Sequence, residues 1–331
     1  MSLNYYEADD YNRLVTRFGL PIEDAYVEHT GKQKDKPRKN RQQKVAEVAE
    51  SRTSAEGQLN ITYKPARYES VWLYDSLRSF YTQGLVDDVL ALVKGGKEAN
   101  VYLCHGAMPA YPELLAVKVY RPRQFRNLRN DATYREGREL VNSLGIRIKN
   151  RDNREMRAVK NGTSFGAELK HVSWLMHEYI TLQRLHRMGA AVPQPIASSE
   201  NAILMGYIGD RHRPAPALTG VQLAHAEAAL LFDEVMRNVE LMLAHRMIHG
   251  DLSAYNILYW AGAVTLIDFP QVTMSESNHN AYRIFERDVR RVCDYFTTQG
   301  VESDADAITR RLWQQHVKLA PGYTMQDGEG G

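Results

Sequence analysis

Residues 248–256 read Ile248-His249-Gly250-Asp251-Leu252-Ser253-Ala254-Tyr255-Asn256, and twelve positions after Asn256 the stretch Leu266-Ile267-Asp268-Phe269 places a lone carboxylate in apolar surroundings. An aspartate followed, after four residues, by an asparagine divides labour. Asp251 is placed to reach an attacking hydroxyl, and Asn256, one loop turn away, to reach a cation on a triphosphate. A hard ion such as Mg²⁺ takes oxygen ligands and leaves most positions to water and phosphate. Asn256 and Asp268 suit it. The bland alternative is an N-cap aspartate and a turn asparagine beside an ordinary strand. Either half alone would leave that alternative standing; the two together at this spacing do not.

Working outward, Lys94-Gly95-Gly96-Lys97-Glu98-Ala99-Asn100-Val101 occupies the register of the kinase Gly-rich loop, G-x-G-x-x-G-x-V, with only Gly96 retained. Seventeen residues beyond Val101, Lys118 lies inside the apolar strand Leu114–Tyr120, in a context like the kinase V-A-I-K. A lysine in such a strand needs a partner. Glu178, in the helical stretch Trp174-Leu175-Met176-His177-Glu178-Tyr179, is the natural one. The competing reading of Lys118 is an edge-strand lysine that snorkels to water. His245 and His249 stand four apart, but without the H-E-x-x-H of a zinc helix, and His249 reads as a brace for the loop.

The chain has 331 residues, enough for two lobes, and ordinary apolar content of 44%. Cys104 and Cys293 are its two cysteines, which fits a reducing compartment and excludes a Cys-rich zinc cage. No uncharged apolar run reaches membrane-spanning length, and the start MSLNYYEADD has no signal pattern, so a soluble, cytoplasmic protein is expected, with no membrane partner. The net charge of +2 conceals an uneven distribution. Lys118–Lys160 carries 13 Lys and Arg against 5 Asp and Glu, and a second basic tract, KQKDKPRKNRQQK, covers 32–44. These segments read either as solvated chain or as contacts with a polyanion, because clustered cations displace counterions from phosphate backbones. Ribosomal RNA or a ribosomal particle, met through 32–44 and 121–157, is the expected partner of that kind.

The organisation expected is a flexible basic arm over 1–66, with a helix near Gln42–Glu50, and an N-lobe over 67–208. That lobe holds the Gly-rich loop and an Arg-rich flexible insertion at about 121–170. A C-lobe over 209–320 carries the catalytic and metal-binding loops, and the tail 321–331 is loose. Three- and four-residue apolar spacing from Glu69 to Tyr81 marks a helix, and Leu85–Leu103 mixes helix-like with strand-like stretches. Further helices are expected at His171–Met188, Val221–Met247, Ala281–Thr298 and Asp304–Leu319. Leu266–Phe269 is expected to be a buried strand.

Taken together, Gly96-Lys97-Glu98-Ala99-Asn100-Val101-Tyr102, Val192-Pro193-Gln194-Pro195, Met205-Gly206-Tyr207-Ile208-Gly209, Ala215-Pro216-Ala217-Leu218, His249-Gly250-Asp251-Leu252-Ser253 and Ile267-Asp268-Phe269-Pro270-Gln271 resemble the RIO family of atypical serine/threonine kinases. Arg287-Asp288-Val289 and Asp294-Tyr295-Phe296 extend the match, which runs from about Ser76 to Phe296. The long Arg-rich loop and spare termini resemble a bacterial-type member. The resemblance implies an α+β, two-lobed protein-kinase-like fold: a small β-rich N-lobe and a reduced, mostly helical C-lobe without a long activation segment. It implies Asp251 as catalytic base, Asn256 and Asp268 as ligands of Mg²⁺ (or Mn²⁺), and Asp268 also as a phosphate acceptor in an ATPase cycle. The ATP-binding set it implies is Gly95, Gly96, Lys97, Val101, Lys118 with Glu178, gatekeeper Met205, and the backbone of Gly206 and Ile208.

Three functions share these residues. The first is a serine/threonine protein kinase that moves the ATP γ-phosphate to a protein hydroxyl, its own included. The second is a nucleotide-gated ATPase in RNA or ribosome assembly. The third is a small-molecule kinase of the aminoglycoside or choline type, disfavoured because such enzymes lack the 96–102 sequence and follow the metal aspartate with a larger helical lobe.

Overall fold

The computed structural model describes residues 59–65, 67–96, 98–120, 139–148 and 153–317. The smaller lobe is a six-stranded sheet in the order β1-β2-β3-β4-β6-β5. Its strands are β1 (Asn60–Ile61), β2 (Val86–Lys94), β3 (Ala99–Gly106), β4 (Leu114–Tyr120), β5 (Pro195–Ser198) and β6 (Ala202–Gly206). β1 joins β2 in parallel, and the other pairings are antiparallel.

Strand β4 shows how this sheet sorts its side chains. Leu115, Val117 and Val119 join Trp72, Leu73, Leu77 and Phe80 of helix α1 (Arg67–Thr82) in one apolar cluster. Tyr120 packs on the opposite side with Trp174 and Leu175 of α3 (Ser164–Arg187). A period of two therefore puts Ala116, Lys118 and Tyr120 on the α3 face. The run that reads as uniformly apolar is a two-sided strand with its lysine aimed inward.

The larger lobe is built on α4 (His225–Ala244), α5 (Ala281–Thr298) and α6 (Ala305–His316). Two small ladders frame the catalytic stretch: β7 (Met247–Ile248) with β10 (Thr273–Met274), and β8 (Ile257–Trp260) with β9 (Ala263–Leu266). Helix α5 buries Ile284, Phe285, Val289, Val292 and Phe296 against this framework.

Several elements differ from the sequence expectations. The N-lobe begins ahead of residue 67, because β1 extends the sheet and Leu59 is buried in its core. Leu85–Leu103 contains no helix: it is the β2/β3 hairpin. The insertion expected to be flexible to about 170 contains α2 (Asn153–Lys160), and α3 starts at Ser164, ahead of His171. Thr163 caps α3 by accepting the Gly166 N–H at 3.1 Å. Gly166 lets the two helices meet, since a Cβ there would lie 2.1 Å from the Ala158 carbonyl oxygen. Helix α4 stops before Met247 because Arg246 adopts φ 67°, and Met247 turns into β7. Leu266 ends β9, so Asp268 stands beyond the strand and not inside it. The expected helix near 42–50, the tract 32–44, the segment 121–138 and the tail 321–331 lie outside the described residues. Among the described residues no helix is long and apolar enough to cross a membrane. Both cysteines are buried and free.

Candidate active site

The antiparallel ladders set Lys94, Val101, Lys118 and Ile203 side by side across β2, β3, β4 and β6. Directly opposed residues share a face. The Lys118 ammonium meets Glu178 Oε1 of α3 at 2.7 Å and also contacts Asp268 Oδ1. Lys118 sits 5.1 Å above the Tyr120 ring, and its side chain is 13% exposed. Burial alone would lower the lysine pKa. The carboxylates of Asp268 and Glu178 reverse that and hold it well above the ordinary value. Burial also raises the Asp268 carboxyl, but Lys118 more than offsets it, with further help from His249 and Lys94, and Asp268 lies below the usual carboxylate range. The site thus keeps a buried cation ion-paired with two carboxylates.

Asp268 takes φ 72°, a conformation that Asp adopts more readily than most residues. The loops around it are tied together by backbone. The Ile267 N–H donates to the Asn256 carbonyl at 2.9 Å, which places both expected metal ligands on one hydrogen-bonded unit. Asn256 Nδ2 donates to the Asp251 carbonyl at 2.9 Å, so its side-chain oxygen faces the other way, free to act as a ligand. One carboxylate and one carboxamide oxygen are the hard donors Mg²⁺ takes when phosphate and water complete its shell, so these residues fit the ion.

His249 is the brace expected. The Asp251 N–H donates to its Nδ1 at 3.3 Å and its Nε2 lies 3.2 Å from the Ile267 carbonyl, so the ring links the two loops. Gly250 takes φ 86°, and a Cβ there would meet the Gln271 carbonyl oxygen at 2.2 Å. Only glycine fits. Its N–H donates to the buried Asp288 Oδ2 at 2.7 Å, and its carbonyl accepts from Arg287. Burial raises the Asp288 carboxyl, partly offset by His249 and Arg287.

On the nucleotide side, Met205 pairs with Ala116 across the β4/β6 ladder, on the lysine face. The Gly206 N–H donates to the Gln194 carbonyl at 2.8 Å and the Ile208 carbonyl accepts the Ala215 N–H at 3.0 Å. Among the described residues, no loop or turn hydrogen bond takes the Gly206 carbonyl or the Ile208 N–H. The Gly96 N–H donates to Asn100 Oδ1 at 3.3 Å, while Gly95 stays near the same oxygen. Lys97 lies outside the described residues.

A RIO domain model matches residues 100–308 of this chain. The RIO-type serine/threonine-protein kinase Rio1 of Haloferax volcanii is 30% identical over 251 residues, covering 75% of this chain and 73% of that protein. Rio1 of Thermoplasma acidophilum is 33% identical over 135 residues, 41% of this chain and 69% of that one. Human serine/threonine-protein kinase RIO1 is 29% identical over 222 residues, 66% of this chain but 35% of its own length.

The chain belongs to the RIO family.

In this RIO kinase the sequence pairs Lys118 with Glu178, and the structure joins the two and adds Asp268 to the same ammonium. Three contributors had no assigned role. Asp288 carries the catalytic glycine; its signal was a carboxylate on the apolar stripe of an amphipathic helix, where an unpartnered charge is costly. Lys94 replaces a loop glycine and adds a cation near Asp268. Arg291, whose Nη1 meets Asp251 Oδ1 at 2.9 Å, had no sequence signal, because forty residues separate the pair.

Proposed function

We propose that this RIO kinase moves the γ-phosphate of ATP to a serine or threonine hydroxyl of a protein, its own included, in the cytoplasm. The observation that carries the reading is Lys118 held by Glu178 and Asp268 beside a catalytic loop fixed at both faces of Gly250. Asp251 takes the acceptor's proton as the oxygen–phosphorus bond forms, and ADP leaves with the electrons of the broken bond. Lys118 moves from Asp268 towards the phosphates, steered by Glu178. Asp268 and the Asn256 side-chain oxygen would hold Mg²⁺ (or Mn²⁺), which would supply positive charge against the phosphates of the nucleotide. The Gly206 carbonyl and Ile208 N–H take the adenine edge, with Met205 and Val101 against its faces and Gly95, Gly96 and Lys97 over the phosphates.

The test is transfer of label from γ-labelled ATP into protein, in wild type and Asp251→Asn. Label that enters protein equally in both would overturn the assignment. A second reading, an ATPase cycle through phosphorylated Asp268 during RNA or ribosome assembly, is favoured by the excess of 13 basic over 5 acidic residues in 118–160. Its sign would be label in free phosphate, stimulated by RNA, with a steep salt dependence of RNA binding that follows the number of phosphates neutralised.

A further inference from the structure

We propose that the acceptor of this kinase is an acidic segment, a hydroxyl flanked by carboxylates, and that Arg291 reads it. The inference rests on the kinase reading above and names its substrate class. Arg283, Arg287 and Arg291 recur every fourth residue on α5, which places them along one oblique stripe of the helix. The apolar positions Ile284, Phe285, Val289 and Val292 point into the core. Helix α6 covers the neighbouring flank through Trp313 on Tyr282 and Phe285 and through Asp306 on Arg290. Arg283 and Arg291 are exposed beside the catalytic loop, with part-buried Arg287 between them. Arg287 holds the Gly250 carbonyl, Arg291 holds Asp251, and Arg283 is exposed with no ion pair among the described residues.

Arg291 and Asp251 are each 42% exposed and touch through a single guanidinium nitrogen at 2.9 Å. An ion pair so exposed is weak, and an incoming anion can replace one partner. A guanidinium offers five donors in a fork that matches a carboxylate at two points, better than its present one-point contact. Exchange has a chemical consequence. Once Arg291 turns to an acceptor carboxylate, Asp251 Oδ1 is released to take the hydroxyl proton. An acidic flank therefore docks the acceptor and frees the base in one step, whereas a basic segment meets three like charges.

The test uses the full chain with Mg²⁺ and ATP and three serine peptides of equal length, flanked by Asp and Glu, by Gln, or by Lys. The acidic peptide is expected to exceed the neutral one at least tenfold in kcat/KM, with the basic peptide lowest. Arg291→Gln, checked for an unchanged Tm, is expected to bring the acidic peptide to the neutral level, chiefly through KM. Arg291→Lys should keep part of the preference, and Arg283→Gln should lose a smaller part. Equal transfer to acidic and neutral peptides by the wild type overturns the inference while leaving the kinase reading intact, as does a full preference in Arg291→Gln. An RNA oligonucleotide that binds through Arg291, with no acidic preference among the peptides, overturns it in favour of a phosphate-backbone surface. Transfer to none of the three overturns the kinase reading and this inference with it.

Discussion

The catalytic loop around Gly250 and the Gly-rich turn around Gly96 are held in opposite ways. The catalytic loop is pinned through backbone: Gly250 is gripped by Asp288 and Arg287 from α5, and His249 ties Asp251 to Ile267. Among the described residues the Gly-rich turn is tied by a long bond, from Gly96 N–H to Asn100 Oδ1 at 3.3 Å, at the end of a side-chain relay. The difference suits the roles proposed for each. A base and its metal ligands act only if their geometry is fixed before substrate arrives. A turn that covers the phosphates must give way for nucleotide to enter and leave.

The comparison is broken most severely at the base. Asp251→Asn should reduce phosphoryl transfer by about 10²–10⁴-fold, the usual contribution of general-base catalysis, while calorimetric ATP affinity stays close to wild type. Asp268→Ala should abolish the Mg²⁺-dependent part of ATP affinity, because it removes the only anionic ligand of the pair. Unchanged Mg²⁺·ATP binding in that variant would refute the metal role.

Next in size is the frame behind the loop. Asp288→Ala strips the Gly250 N–H and Arg287 of a buried carboxylate, and leaving a buried donor without its acceptor costs about 1–3 kcal/mol. Denaturant unfolding should show that loss, and a variant as stable as wild type would mean that α5 does not carry the loop.

Acid sharpens the contrast between the clefts' charges. The folded pKa of Asp268 lies below its unfolded 3.8, so its ion pair with Lys118 contributes fully above that value. The contribution fades as pH falls from 3.8 through the lower folded value. Asp268→Asn should flatten stability against pH in that acid window and leave the profile above it unchanged. Identical slopes in the two proteins would show the ion pair to be unlinked to folding.

How much of this was legible depended on the range of the contact. Asp251, Asn256 and Asp268 fall within one short stretch whose spacing is itself the signal, and Lys118 stands out as a charge in an apolar strand. The lobes followed from such local patterns. The supports did not, because they join distant residues: Asp288 to Gly250, Arg291 to Asp251, Glu69 to Tyr102. Helix α2 was hidden for another reason. It is short and rich in Arg and Lys, and its place is set by the close approach at Gly166, which no periodicity reports.

The smallest effect belongs to the relay behind the Gly-rich turn. Tyr102 is fully buried; its hydroxyl accepts from Asn100 Nδ2 at 3.0 Å and donates to Glu69 Oε1 of α1 at 2.8 Å. Asn100 Oδ1 in turn holds the Gly96 N–H. Helix α1 thus reaches the phosphate-covering turn through three side chains, with Trp72 edge-on to the same tyrosine at 6.5 Å. Tyr102→Phe keeps the ring and its packing and deletes only the hydroxyl, a loss of about 1 kcal/mol in stability. Because the bond from Gly96 N–H to Asn100 Oδ1 is long, the variant should raise the KM for ATP a few-fold and leave kcat unchanged. A fall in kcat at constant KM would place Tyr102 behind the chemistry instead, and would contradict the division between a pinned catalytic loop and a yielding nucleotide turn.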